Sequence, residues 1–226
     1  MIGNEKVKIV YFASLLEDKW EGIVLEQLWS LKNSKIYDDA DEIYISLQCN
    51  DQQLKRIKQH LWSKFKKIQI FNRVEKNMYE YPGIKSVYDL SQKEDSIILY
   101  FHTKGMFSNV KYPERNILRG QLFKYTIENY EEYLNEFLKN KTLDIGGIFP
   151  SEFGFIWYNF FWIRSRYVKE HLTPPEPTSH RYYWERWIGK ENSTKKDILT
   201  YSPVLKFQKL GNKAQLYNVR NKFFNS

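Results

Sequence analysis

Ser96-Ile97-Ile98-Leu99-Tyr100-Phe101-His102-Thr103-Lys104-Gly105 reads as a buried strand that ends in four residues with chemical potential. An apolar run of this length suits a strand covered on both faces. In open α/β sheets ligands bind outside the carboxyl ends of such strands. The run therefore delivers an imidazole, a hydroxyl and an ammonium to the place where a ligand sits. Gly105 lets the backbone turn or approach that ligand closely.

The chain before this strand alternates in the same manner. Val7–Ala13 is apolar and rich in β-branched residues, which suits a first strand. Trp20, Val24, Leu28 and Leu31 then recur at helical spacing. Glu42–Cys49 reads as a second strand, Gln53–Phe65 as a second amphipathic helix, and Ile68–Phe71 as a short third strand. Tyr81-Pro82-Gly83 marks a turn or helix entry into Ile84–Leu90. Strand, helix, strand, helix at these lengths predicts an α/β fold of Rossmann-like type, a mostly parallel central sheet flanked by helices.

The second half follows a different rhythm. Asn116–Leu138 reads as one long helix, Asp144–Phe149 as a short strand, and Phe153–Trp162 as an aromatic segment. The prolines at 174, 175 and 177 mark a loop. The expected organisation is one domain over 1–195 and a basic extension over 196–226 that packs on the domain or contacts a partner.

Composition sets the bounds. The chain has 226 residues, 42% of them hydrophobic, which is enough for one sizeable core. There are 17 Tyr, 15 Phe and 7 Trp, which build cores or line sites for sugars and bases. The net charge is +8, carried mostly by dispersed lysines. A solvated basic surface is one reading, and an anionic partner such as a nucleotide diphosphate is the other. Contact with a membrane surface stays open, whereas no nucleic-acid recognition element is present. Cys49 is the single cysteine, so no intramolecular disulfide forms, and no Cys/His cluster has zinc spacing. With a polar amino terminus and no apolar run of about 20 residues, a cytoplasmic protein is expected. No Gly-x-Gly-x-x-Gly follows the first strand, and no phosphate loop ends in Gly-Lys-Ser/Thr.

Three clusters carry the candidate chemistry. They are His102-Thr103-Lys104-Gly105, Trp157-Tyr158-Asn159-Phe160-Phe161-Trp162-Ile163-Arg164, and His180-Arg181-Tyr182-Tyr183-Trp184-Glu185-Arg186-Trp187-Ile188-Gly189. In this order they resemble a group of small GT-A-type glycosyltransferases, among them the chlorella-virus type and, more distantly, the rhamnan-synthesis type. In that group a strand ends in Tyr-x-His-(Thr/Ser)-Lys-Gly, a later segment reads Gly-Asn-Phe-Trp-Trp-x-Arg, and a third reads Arg-Tyr-x-x-Glu-x-Trp-Ile-Gly. The resemblance covers about residues 7–190. Tyr158 stands where the pattern has glycine, which crowds a close backbone approach, and Phe161 replaces the first of two tryptophans.

The resemblance implies a GT-A-like fold and transfer of a hexosyl or deoxyhexosyl group from a nucleotide-diphosphate sugar to a hydroxyl of a glycan acceptor, in surface polysaccharide or glycoprotein glycan synthesis. Most GT-A enzymes hold Mn²⁺ or Mg²⁺ with an Asp-x-Asp pair at the end of the fourth strand. Here His102-Thr103-Lys104 takes that place. A divalent metal is left open, with His102 as its candidate ligand, and Lys104 is the alternative charge on the leaving pyrophosphate. Glu185 matches the glutamate of the third motif and is the candidate base for an inverting reaction, followed by Glu152 and Asp144. Its other reading is a helix-surface ion pair with Arg181.

Asn159, Trp157, Trp162 and Arg181 are assigned to sugar and acceptor binding, and Arg164 to the donor phosphate. Trp162 also reads as core and Arg164 as a structural salt bridge. Strand-end topology adds Ala13 and Ser14 beside the nucleotide, and Asn72 and Arg73 near its base or ribose. Glu80–Lys85 matches a further stretch of the pattern, with no chemistry assigned. The rival readings are a catalytically inactive nucleotide- or glycan-binding module, a nucleic-acid-binding domain, and a nucleotidyltransferase.

Overall fold

The computed structural model describes residues 5–103, 114–151, 154–180, 183–189, 197–200 and 208–209. Its first half holds strands β1 (Lys6–Ser14), β2 (Glu42–Gln48), β3 (Ile68–Val74) and β4 (Ser96–His102). Between them lie helices α1 (Trp20–Asn33), α2 (Ile36–Asp39), α3 (Asp51–Lys64) and α4 (Tyr81–Lys93). The second half adds α5 (Glu114–Phe123), α6 (Tyr130–Lys139), β5 (Leu143–Gly146), β6 (Phe161–Arg164), α7 (Ser165–His171), α8 (Tyr183–Arg186), β7 (Asp197–Thr200) and β8 (Gln208–Lys209).

All eight strands form one sheet in the order β3-β2-β1-β4-β6-β5-β7-β8. The first four positions are parallel throughout. Strand β6 returns antiparallel to β4, with Tyr100 opposite Phe161 and Ile97 opposite Arg164. The expected α/β architecture is therefore present, with a mixed half added beyond β4. Strands β7 and β8 continue this sheet beside β5, so part of the stretch read as a basic extension belongs to it.

Alternation along the strands feeds two cores. Val7, Ile9, Tyr11 and Ala13 of β1 join Ile97, Leu99 and Phe101 of β4 under α1, α2, α3, α5 and α6. Val10, Phe12, Ile98 and Tyr100 face the other way, under α4, α7 and α8. Buried Lys8 on β1 is held by Glu94 at 2.7 Å and Glu42 at 3.0 Å, as a charge taken from water requires.

Local chemistry sets the helix ends. Asn50 caps α3 in a capping box with Gln53, each bond being 2.9 Å. Pro82 sits in the first turn of α4. Gly83 lets that turn lie on the sheet, because a Cβ there would come within 2.6 Å of the Phe12 Cβ. The helix expected over Asn116–Leu138 is instead two, α5 and α6, joined by a π-helical turn at Lys124–Glu128. Inside that turn the Thr126 carbonyl accepts the Trp162 indole N–H at 2.9 Å. No helix among the described residues is long and apolar enough to cross a membrane.

Candidate functional site

Helices α1 and α3 cover one face of the sheet, and α4 crosses back over the other. Strands β1 and β4 are parallel neighbours, so their carboxyl ends lie side by side, on the edge outside which ligands bind in open α/β sheets. Those ends are tied together. The Thr103 amide donates to the Phe12 carbonyl at 3.0 Å, and the Ser14 amide donates to Thr103 Oγ1 at 3.2 Å. Ser14 Oγ accepts from Gln48 Nε2 at 2.9 Å, which links β2 into the same edge. Gln27 of α1 accepts from the Tyr11 hydroxyl and donates to the His102 carbonyl at 3.2 Å.

Above β4, three segments far apart in sequence meet at Glu80, the residue that precedes α4. Asn159 Nδ2 donates to Glu80 Oε2 at 2.7 Å. The Tyr100 hydroxyl donates to the same oxygen at 3.5 Å. His102 Nε2 stands 3.7 Å from Glu80 Oε1 and donates to the Tyr158 carbonyl at 3.0 Å. Burial, and then the Glu80 carboxylate, push the Tyr100 phenol well above its ordinary value, so it stays a hydrogen-bond donor. A carboxylate at the amino end of α4 also complements the helix dipole.

The backbone is bent to make this junction. Tyr158 and Asn159 have φ values of 70° and 51°, in the left-handed region that favours glycine. The site meets Tyr158 through its carbonyl, while its ring packs edge-on against Phe149 at 5.6 Å. Asn159 is fully buried, and its Oδ1 has no hydrogen-bond partner.

The remaining expected residues fall into distinct places. Trp157 is half-buried beside this turn, edge-on to Phe155 at 4.9 Å. Ala13 is buried in the core under α1 and is no part of the edge surface. Trp162 is likewise core, stacked on Tyr133. Arg164 lies opposite Ile97 at the far end of β4, away from His102. There it is buried against Glu5, donates to the Phe137 carbonyl at 2.7 Å and the Leu143 carbonyl at 3.0 Å, and has no access to a ligand at the carboxyl edge. Of its two readings, the structural salt bridge is the one realised. Asp144 is on β5, 3.8 Å from Arg166.

Asn72 and Arg73 end β3, three strand spacings or about 14 Å from β4. Asn72 Nδ2 donates to the Pro82 carbonyl and to Ser86 Oγ, which anchors α4. Arg73 pairs with Asp51 and Glu75. Glu185 is half-buried on the single-turn α8, which packs against the Trp157–Asn159 turn. Its neighbour Trp184 meets Tyr81 with ring centroids 5.6 Å apart. Glu185 is thus carried on an element that abuts both the 157–159 turn and the start of α4. Lys104, Gly105, Glu152 and Arg181 lie outside the described residues.

Glu80 is the site residue that residue-by-residue reading passed over. A signal was present: an acid immediately before a Tyr-Pro-Gly helix entry stands at the amino end of that helix. Among the described residues no three His, Cys, Asp or Glu side chains converge. With His102 Nε2 donating to the Tyr158 carbonyl, a neutral imidazole carries its lone pair on Nδ1.

No protein-family model matches the chain. No curated protein matches it either. Among solved structures the chain is similar to 4-diphosphocytidyl-2C-methyl-D-erythritol synthase from Anaerococcus prevotii, at 10% identity and a TM-score of 0.48, over 100% of this chain and 98% of that one.

Proposed function

We propose that this chain is an inverting glycosyltransferase that moves a sugar from a nucleotide-diphosphate-sugar donor to a hydroxyl of a glycan acceptor. The observation that carries the reading is the junction at Glu80. Residues of the first motif (His102) and the second (Tyr158 and Asn159), 56 or more positions apart, meet there beside the carboxyl end of β4. The element bearing the glutamate of the third motif packs against the same turn.

The donor pyrophosphate lies over the Ser14–Thr103 edge, with Lys104 following directly in the chain. The nucleoside extends along the carboxyl edge toward β3. Glu185 takes the proton of the acceptor hydroxyl as its oxygen attacks the anomeric carbon. The bond from that carbon to phosphate breaks, and the nucleoside diphosphate leaves with the electron pair. Positive charge builds on the sugar at the transition state, as in glycoside hydrolysis. Half-burial beside Trp184 limits the water around the base.

A panel of nucleotide sugars tests this by thermal shift and by donor hydrolysis without acceptor. At least one donor is expected to stabilise the chain and to be slowly hydrolysed. Glu185→Gln is expected to abolish transfer, a loss of about 100-fold or more, while donor binding persists. Donor binding without any hydrolysis would instead support a catalytically inactive binding module. If no nucleotide sugar stabilises the chain, the reading fails.

A further inference from the structure

We propose that the carboxyl ends of α1 and α3 form a docking surface for an anionic lipid bilayer. Residues 52–74 contain five lysines and two arginines and no Asp or Glu. The two arginines are committed to carboxylates, Arg56 to Glu21 and Arg73 to Asp51 and Glu75. Lys55, Lys58, Lys64, Lys66 and Lys67 form no ion pair among the described residues.

Two indoles stand among these charges. Trp62 on α3 is 70% exposed, and Trp29 on α1 is 38% exposed. They flank one point of contact between the helices. Trp29 meets Phe65 edge-on at 5.1 Å, and Trp62 is one helical turn before Phe65. Lys32 Nζ reaches across to the Lys64 carbonyl at 2.7 Å. A folded surface ordinarily hides indoles, so a Trp left this open beside lysines that have no carboxylate partner among the described residues calls for a partner with apolar and anionic parts.

A bilayer interface supplies both. Indoles settle at headgroup depth, and each lysine near an anionic leaflet adds to the attraction. Nucleic acid is the weaker match, because the Trp29 ring already carries two ammoniums, Lys32 at 5.1 Å and Lys64 at 6.0 Å, where a base would have to stack. The patch lies near the amino edge of the sheet, since α3 leads from it into the start of β3. A docked molecule keeps its carboxyl edge clear of the surface.

Co-sedimentation of the full chain with vesicles tests the proposal without reading catalysis, so its failure leaves the glycosyltransferase reading untouched. Vesicles of phosphatidylcholine with phosphatidylglycerol are expected to bind the chain, with a blue shift in tryptophan fluorescence and weakening as salt rises. Vesicles of phosphatidylcholine alone are expected to bind little. Trp62→Ala should lower partitioning roughly tenfold, from the apolar area an indole withdraws from water. Lys64→Gln and Lys66→Gln should each lower it about fivefold. All three side chains are exposed, so thermal unfolding should stay as in the native chain. No binding to anionic vesicles, Trp62→Ala binding like the native chain, or tighter binding to an oligonucleotide than to vesicles would overturn the proposal.

Discussion

Glu80 receives the amide of Asn159 and the hydroxyl of Tyr100 on one carboxylate oxygen. Glu80→Ala leaves a buried amide without its acceptor and is expected to cost about 1–3 kcal/mol in denaturant unfolding. Glu80→Gln retains an acceptor oxygen and should cost less than half of that. A double-mutant cycle with Asn159→Ala should show coupling of about 1 kcal/mol or more, as for groups in direct contact. Strict additivity would mean that the pair acts independently. Tyr158 allows a cleaner separation. Alanine and glycine both remove its ring, so their difference reports the backbone alone. At φ of 70° the Tyr158→Gly chain should be about 1 kcal/mol more stable than Tyr158→Ala, which thermal melts will read.

Among the elements, β4 and its parallel neighbours were legible because their signal is local. Each strand is a short apolar run, and α1 and α3 carry a helical stripe. The boundaries of β1 and β2 moved by a residue or so. Strand β6 was hidden because Phe161–Arg164 is four residues inside a longer aromatic segment, with no flanking turn signal to frame it. The π-helical turn between α5 and α6 was hidden for another reason. Its apolar residues keep a helical rhythm through the break, so periodicity reports one helix. Arg164 shows how such gaps mislead. Only the antiparallel return of β6 places it at the amino end of β4. Arg164→Ala leaves two buried carbonyls without their donor and Glu5 with only the exposed Lys141 at 3.4 Å, and should cost about 3–5 kcal/mol. Below its lowered melting temperature the variant should bind donor as the native chain does, and a selective loss of donor affinity would return Arg164 to the site.

For the whole molecule, pH sensitivity follows from the buried amine on β1. Lys8, and then Lys6, hold the Glu94 carboxyl below the usual carboxylate range. A carboxyl whose value is lowered by folding binds fewer protons in the folded state, so it adds stability above its unfolded range. That contribution is lost as pH falls through the lowered value. Glu94→Gln should therefore unfold at lower urea than the native chain at neutral pH. The gap should close as pH drops below about 4, where carboxyls protonate. A constant gap down to strong acid would remove Glu94 from the balance. The antiparallel return of β6 has a consequence of another kind, in the order of synthesis. When residues 5–103 have left the ribosome, β4 is an edge, largely apolar and unpaired on one side. Its cover arrives roughly 60 residues later. Throughout that interval the nascent chain exposes the kind of bare strand that recruits other chains, so the amino-terminal half alone, cut before β6, is a poor candidate for an isolated domain.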